Sequence, residues 1–492
     1  MIAREKFEII RSEEGDFYAV PREGPRIAVR TNHPSFRRKL VAAYTKYSKN
    51  KRSLSPLVVE QIIMNLEDDA ELQMPTRIDL RYAEVEGITY VDLGDPFGRC
   101  VRASKDGWEV LSSAPVFFRR SPLTLPMPVP IPGTGDVDKI FDLMNIPEEK
   151  RPLLLAWLVS AFFPNDPHPI AHFDGEKGTG KSRSLFYCGA TVDPNGAPLR
   201  KMPRDGERWV EAVLGGYFIP LDNLTTLTEE QSNQLCRAST GDSDVRRVKY
   251  TDDDLKVISY KRLVGINGIS VLGIRDDLAD RLIHFETQRI SGYRRRTEAE
   301  LQRHFDEHAP AILAGLLDLV VKVKQLLPGI QTQGLPRMAD FAKIVIALDQ
   351  LRGTNGYSEY LHDIDAHAQD VFTNEPFLIL LRKAVTAPFE GDAAILHNRM
   401  IASLKVSDLP IPYEEIPRKP VWVTTKLKQH ADTLRRAGWK VTNLGNRNRR
   451  KVTIWRLAPP AADEITSGQV PGPSQTDDTG RRNLVQFTHL SY

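Results

Sequence analysis

Residues 175–182 read Gly175-Glu176-Lys177-Gly178-Thr179-Gly180-Lys181-Ser182. This is the pattern G-x-x-x-x-G-K-[ST], a loop whose inward-turned peptide N–H groups cradle phosphates. Gly175, Gly178 and Gly180 permit backbone geometry that a Cβ would forbid. Lys181 is placed to reach the β- and γ-phosphates of ATP, and the Ser182 hydroxyl to ligate Mg²⁺. The flanks agree: Ile170–Phe173 are apolar or nearly so and predict a buried strand. Lys181 to about Cys188 predicts a short helix, stopped near Gly189, whose positive N-terminal end adds to the anion site.

The rest of the composition is that of an ordinary soluble protein. The chain has 492 residues, 41% hydrophobic and 27% charged, with a net charge of +3. That length allows about three domains, and the small net charge leaves any argument about partners to local clusters. Cys100, Cys188 and Cys236 are far apart and make no zinc spacing; three cannot all pair, which suits a reducing compartment. The charged start MIAREKFEII lacks the apolar run expected of a signal peptide. Pro152–Pro164, the longest apolar stretch, is too short to span a bilayer. The expectation is a cytoplasmic protein with no membrane partner.

Residues 1–132 predict an α+β domain serving oligomerisation or DNA binding, with helices over Phe36–Tyr47 and Pro56–Leu72 followed by strands at Arg77–Arg81, Thr89–Leu93 and Cys100–Ala103. Its basic residues around Arg37–Arg52 suit a positive face or simply a solvated helix. The proline-rich run Pro122–Gly133 reads as a stiff extended connector and a domain boundary.

Beyond it, residues 133–325 alternate helix and short apolar strand, the signature of α/β architecture with a parallel sheet. Helices are expected at Val137–Met144, Glu148–Phe163 and Arg208–Leu214. Tyr217–Asp222 reads as an apolar strand that carries Asp222 to the carboxyl edge of the sheet, where it would hold Mg²⁺. Asn223 follows; an amide cannot act as a base but can position a water. Glu229 and Glu230 fit the first turn of a helix capped by Thr228. Residues 246–261 predict a hairpin with Arg246, Arg247, Lys249, Lys256 and Lys261 on its arms and Tyr250 and Tyr260 interleaved. That mixture suits single-stranded DNA and equally an ordinary exposed hairpin. Leu263–Asn267 reads as another strand, ending in Asn267 within reach of the γ-phosphate or the lytic water. Arg281, in Asp-Leu-Ala-Asp-Arg, is placed to act on a neighbour's ATP, or is a surface ion-pair residue.

A helical lid is expected over 326–375, with Arg337 just ahead of its Met338–Leu348 helix. Residues 376–458 show helix (Lys426–Ala437), strand, basic loop, strand, the order of a winged helix. Arg447, Arg449 and Arg450 on its loop point to duplex DNA phosphates, or the module docks protein. Residues 459–492 read as disordered.

Walker A at Gly175–Ser182, Walker B at Tyr217–Asn223, a sensor at Ile266–Asn267 and an arginine at Arg281 together resemble superfamily 3-type AAA+ helicases, nearest to the replicative helicase-like ATPases of phages and integrated mobile elements. The likeness is best over 135–325. It implies a homo-oligomeric ring, commonly a hexamer, that hydrolyses ATP at subunit interfaces with hairpins lining a DNA channel. Asn223 departs from the Asp-Glu pair of many relatives. Alternatives are a DNA-binding ATPase switch (a replication initiator or loader) and a monomeric P-loop kinase.

Overall fold

The computed structural model describes residues 2–47, 54–247, 255–272, 274, 276–290, 295–331, 333–406, 416, 418–446 and 453–460. They divide into two units, Met1–Ile364 and Asp365–Tyr492. The architecture is mixed α/β with one parallel sheet. No helix among the described residues is long and apolar enough to cross a membrane.

The first unit opens with nine strands: β1 (Phe7–Arg11), β2 (Phe17–Pro21), β3 (Ile27–Arg30), β4 (Ile78–Asp79), β5 (Tyr82–Val85), β6 (Ile88–Asp92), β7 (Cys100–Ser104), β8 (Gly107–Leu111) and β9 (Phe117–Arg119). They make a five-stranded sheet ordered β1-β2-β3-β9-β4 and an antiparallel meander β5-β6-β7-β8. Helices Pro34–Tyr47 and Pro56–Glu71 bury Phe36, Leu40, Val59, Ile63 and Leu66 against Phe7 and Ile9 of the first sheet, as their 3.6-residue periodicity dictates. Ser55 caps the second helix by accepting from Val58 N, and Pro56 sits where no intrahelical donor is needed.

The parallel sheet comprises β10 (Ile170–Asp174), β11 (Phe218–Thr226), β14 (Leu263–Leu272) and β15 (Leu282–Glu286), ordered β11-β14-β10-β15. Between β11 and β14 the chain makes an antiparallel hairpin of β12 (Asp242–Arg247) and β13 (Leu255–Tyr260). Sheet strands covered on both faces read as continuous apolar runs, and these do. Phe173, Phe218 and Phe285 pack into one core with helices Arg151–Ser160, Glu298–Leu326 and Ala339–Arg352. Ile219, Leu221, Val264 and Ile266 pack into another with Gly206–Gly215 and Glu229–Thr240. The helix expected over 137–144 is a 3-10 helix, Val137–Asp142.

Two local expectations change. The helix after the glycine loop runs on from Lys181 to Val192. Gly189 does not stop it; a Cβ there would lie 3.0 Å from the Phe218 ring, so the glycine lets helix and sheet approach closely. The proline-rich run is not a free connector. Leu125 N donates to Pro194 O, Met127 N donates to Leu93 O, and Met127 is buried. It is pinned beside the end of that same helix by Arg81, 2% exposed, which pairs with Asp193, 4% exposed, at 2.8 Å. Arg81 also donates to the carbonyls of Asp92, Leu125 and Pro194, while Asp193 accepts from Tyr217 N and Phe218 N.

The second unit contains helices Pro376–Ala384, Ala393–Val406, Pro420–Gln429 and Ala431–Arg436 and the antiparallel sheet β16-β18-β17, formed by β16 (Phe389–Asp392), β17 (Lys440–Asn446) and β18 (Thr453–Ala458). Phe377, Leu381, Leu427, Trp439 and Trp455 fill its core. The single helix expected over 426–437 is broken at His430. Arg447, Arg449 and Arg450 lie outside the described residues, as do residues 461–492.

Removing one partner of a buried, multiply hydrogen-bonded ion pair strands the other, at roughly 3–5 kcal/mol. Arg81→Ala is therefore expected to lower the unfolding free energy by about that much in a urea titration, and Arg81→Lys, which lacks the guanidinium's fork of donors, to recover only part of it.

Candidate functional site

The glycine loop leaves the carboxyl end of β10 and enters its helix at Lys181. Gly175, Gly178 and Gly180 have φ of +134°, +81° and +94°, the region closed to most L-residues. At Gly175 a Cβ would fall 2.5 Å from Thr287 O and 2.7 Å from Thr287 Oγ1. Thr287, just past β15, donates from Oγ1 to Asp174 O at 2.9 Å and lies 2.7 Å from Thr179 Oγ1. Asn145 Nδ2 donates to Thr179 O at 3.0 Å and to Gln288 O. The loop is thus held from outside by Thr287 and Asn145, which sequence reading missed. Neither belongs to a motif, and each is more than a hundred residues from one of its partners. Lys181 Nζ donates to the carbonyls of Gly175 and Glu176, both at 2.6 Å, so its ammonium curls back over the loop. Lys177 is exposed.

Ser182, Asp222 and Asn267 come together. Ser182 Oγ donates to Asp222 Oδ1 at 2.7 Å, and Asn267 Nδ2 donates to the same oxygen at 2.6 Å. β14 lies between β10 and β11, with Phe173 opposite Asn267 and Leu221 opposite Ile266, which brings the three together. Asn223 follows at φ +60°, and its N–H donates to Asn267 Oδ1 at 2.7 Å; its side chain is exposed. A hydroxyl and a carboxylate side by side at the mouth of a phosphate-type loop form the sparse oxygen set that suits Mg²⁺, which keeps most of its waters. Among the described residues no cluster of three or more His, Cys, Asp or Glu offers a denser metal site. Glu229 and Glu230 lie in the first turn of a helix closed by a Thr228–Gln231 capping box.

Arg281 stands apart. It directly precedes β15, whose first residue pairs with Ile170, so it lies at the amino edge of the sheet. One five-residue strand, about 16 Å, separates that edge from the loop. Its side chain is only 9% exposed and pairs with Asp277 Oδ1 at 2.7 Å. Arg337, 44% exposed, reaches the same oxygen at 2.7 Å. Burial alone would raise the Asp277 carboxyl; the Arg281 hydrogen bond and the two guanidinium charges hold it below its ordinary value.

The hairpin is formed, with Asp242 opposite Tyr260 and Arg247 opposite Leu255. The paired Val245 and Val257 are exposed, so the arms project from the core. Arg246, Arg247 and Lys256 lie on the arms, while Lys249 and Tyr250 fall outside the described residues. Tyr260 is not open for stacking: it is buried, and its hydroxyl meets Trp209 Nε1 and Asp242. Lys261 Nζ donates to Asn165 O.

Fold and site define a parallel-sheet α/β protein with a phosphate-type loop facing an Asp–Asn pair. Residues 137–370 match the family described as the actinomycete integrative conjugative element replication protein; over this stretch, just under half of the chain, the protein is similar to replication proteins of mobile elements. Among solved structures, the apo C-terminal region (305-718) of NrS-1 is 11% identical with a TM-score of 0.38, covering 93% of this chain and 97% of that one. The JCV helicase is 10% identical with a TM-score of 0.23, covering 47% and 64%. Likeness that slight carries no residue across. No curated protein sequence matches the chain.

A β-branched side chain in the left-handed region is disfavoured by roughly 1–2 kcal/mol. Asn223→Val is expected to lower the thermal midpoint accordingly, whereas Asn223→Gly leaves it within a degree or two.

Proposed function

We propose that this chain is an ATP-dependent DNA helicase or translocase acting in the replication of a mobile element, and that it works as a homo-oligomeric ring, a hexamer being the expected size. The observation that carries the reading is the meeting of Ser182, Asp222 and Asn267 beside Lys181. Residues Gly175–Ser182 would hold the ATP phosphates, and Ser182 and Asp222 would hold Mg²⁺, which supplies charge neutralisation at the β- and γ-oxygens. Asn267 positions the Asp222 carboxylate. Asn223 is placed to orient a water but cannot take its proton. The match of residues 137–370 to a replication family supports the setting. On this reading Arg281 serves a neighbour's pocket, since it lies a strand's length from its own; Arg337, more exposed on the same aspartate, is the alternative donor. The projecting hairpin contacts single-stranded DNA. The second unit, with its order helix, strand, three helices, two strands, acts as a winged helix on duplex DNA.

A second reading, a DNA-binding ATPase switch that loads without unwinding, is favoured by Asn223. A strand-displacement assay separates the two: unwinding of a forked duplex supports the motor, and DNA-stimulated hydrolysis without displacement supports the switch.

Lys181→Ala is expected to abolish hydrolysis. Arg281→Ala is expected to abolish it too, with activity returning on mixing the two variants. If mixing restores nothing and Arg337→Ala behaves as Arg281 was expected to, the trans arginine is Arg337.

A further inference from the structure

At the base of the hairpin the first unit contains a cleft of about 620 Å³, within the roughly 300–1,000 Å³ of ordinary ligand sites. One wall is the foot of the hairpin, Gly241–Ser243 and Ser259–Tyr260; the opposite wall is the β4 and β9 edge of the amino-terminal sheet. It is separate from the glycine loop, since Lys261 and Arg262 precede β14 while Asn267 lies near that strand's middle.

The charges in this cleft are unevenly matched. Asp79 is held by Arg77 at 2.8 Å, and Asp242 by Arg237 at 3.4 Å and by the Tyr260 hydroxyl. Among the described residues, three inner cations have no acid at ion-pair distance. Arg262 is buried and donates only to backbone carbonyls, Val213 O and Lys261 O, at 2.7 Å each. Lys261 donates to Asn165 O. The Arg119 side chain has no carboxylate at ion-pair distance among the described residues; the Glu14 and Asp16 charges act on it from farther off. Of the remaining acids on the lining, Glu13 is exposed and Glu14 half-buried; neither is within ion-pair distance of the three. Burial, then the Arg119 charge, pushes Arg262 down to about 10, and burial lowers Arg119 and Lys261 as well. The carboxylates that offset these charges, Asp79 and Asp193 for Arg262, Asp166 and Asp340 for Lys261, Glu14 and Asp16 for Arg119, make no ion pair with them; partly desolvated like charges so placed are costly, and a bound anion relieves that cost.

We propose that this cleft is a phosphate-binding site whose ligands are Arg119, Lys261 and Arg262, fitted to the chemistry shared by a nucleic-acid backbone and a free polyphosphate. A backbone would arrive from the adjoining hairpin; that source rests on the reading of the hairpin as a DNA contact, and the phosphate chemistry does not.

The test uses the full chain carrying Lys181→Ala, which weakens polyphosphate binding at the glycine loop. One arm titrates a labelled single-stranded oligonucleotide and the other inorganic tripolyphosphate. Adding Arg119→Gln is expected to weaken at least one of them roughly 10-fold, as the loss of a charge-assisted hydrogen bond does, and in the oligonucleotide arm to lower the salt slope by about one. Asn165→Asp, which adds a negative charge on an exposed wall without altering either arginine, is expected to weaken the same arm; it decides the matter if Arg119→Gln does not fold. Loss confined to the oligonucleotide identifies a backbone site, loss confined to tripolyphosphate a free-anion site, and loss in both a site open to either. Unchanged affinity in both arms, for every variant that folds, overturns the proposal. ATP hydrolysis by the unmodified chain is measured alongside. Hydrolysis with unchanged arms sinks the cleft alone; no hydrolysis with cleft-dependent tripolyphosphate binding sinks the motor reading alone.

Discussion

A single carboxylate oxygen organises the carboxyl edge of the parallel sheet. Asp222 Oδ1 accepts from the Ser182 hydroxyl and from the Asn267 amide, and those three side chains come from a helix and two strands. For both bonds to form, β11 and β14 must hold their register and the helix must start where it does. Asn267 is satisfied at both ends, because its carbonyl oxygen takes the Asn223 N–H. That bond requires the chain to turn into the left-handed region straight after the aspartate. An apolar residue at 267 would strand a backbone donor and loosen the carboxylate together.

The loop opposite is braced rather than self-supporting. Thr287 fills the space that a Cβ at Gly175 would need, and Asn145 ties Thr179 to Gln288. Farther back, Arg81 and Asp193 fasten the far end of the loop's helix to the amino-terminal strands and to the start of β11. The helix is therefore fixed at both ends, which suits a site whose donors must be preorganised.

Much of this was readable in the sequence where the signal is local. The spacing of Gly175, Gly180, Lys181 and Ser182, an apolar run ending in Asp222, and a polar turn between β-rich arms each carry their own physics. What escaped reading is non-local. β3 pairs with β9 across some ninety residues, Arg81 finds Asp193, and no window contains both members. Gly189 misled for a related reason: glycine ends helices in isolation, whereas here it permits a helix–sheet contact. The prolines of 122–133 read as extended, but the sequence did not show what that segment packs against. Tyr260, read as a stacking platform, is instead consumed by Trp209 and Asp242. Arg281, read as an arginine at a subunit boundary, has most of its side chain covered and paired with Asp277.

β14 begins at the foot of the hairpin and carries Asn267 to the Asp222 carboxylate. Leu263, Val264 and Ile266 are fully enclosed, and close-packed interiors compress little. The strand is thus a solid connecting rod: it has no slack in which a displacement at one end can be lost. Its neighbours on both sides, β10 and β11, deny it a one-residue slip, because that would turn its apolar side chains to the wrong face. The packing that fixes Asn267 against Asp222 therefore also fixes the root of the hairpin.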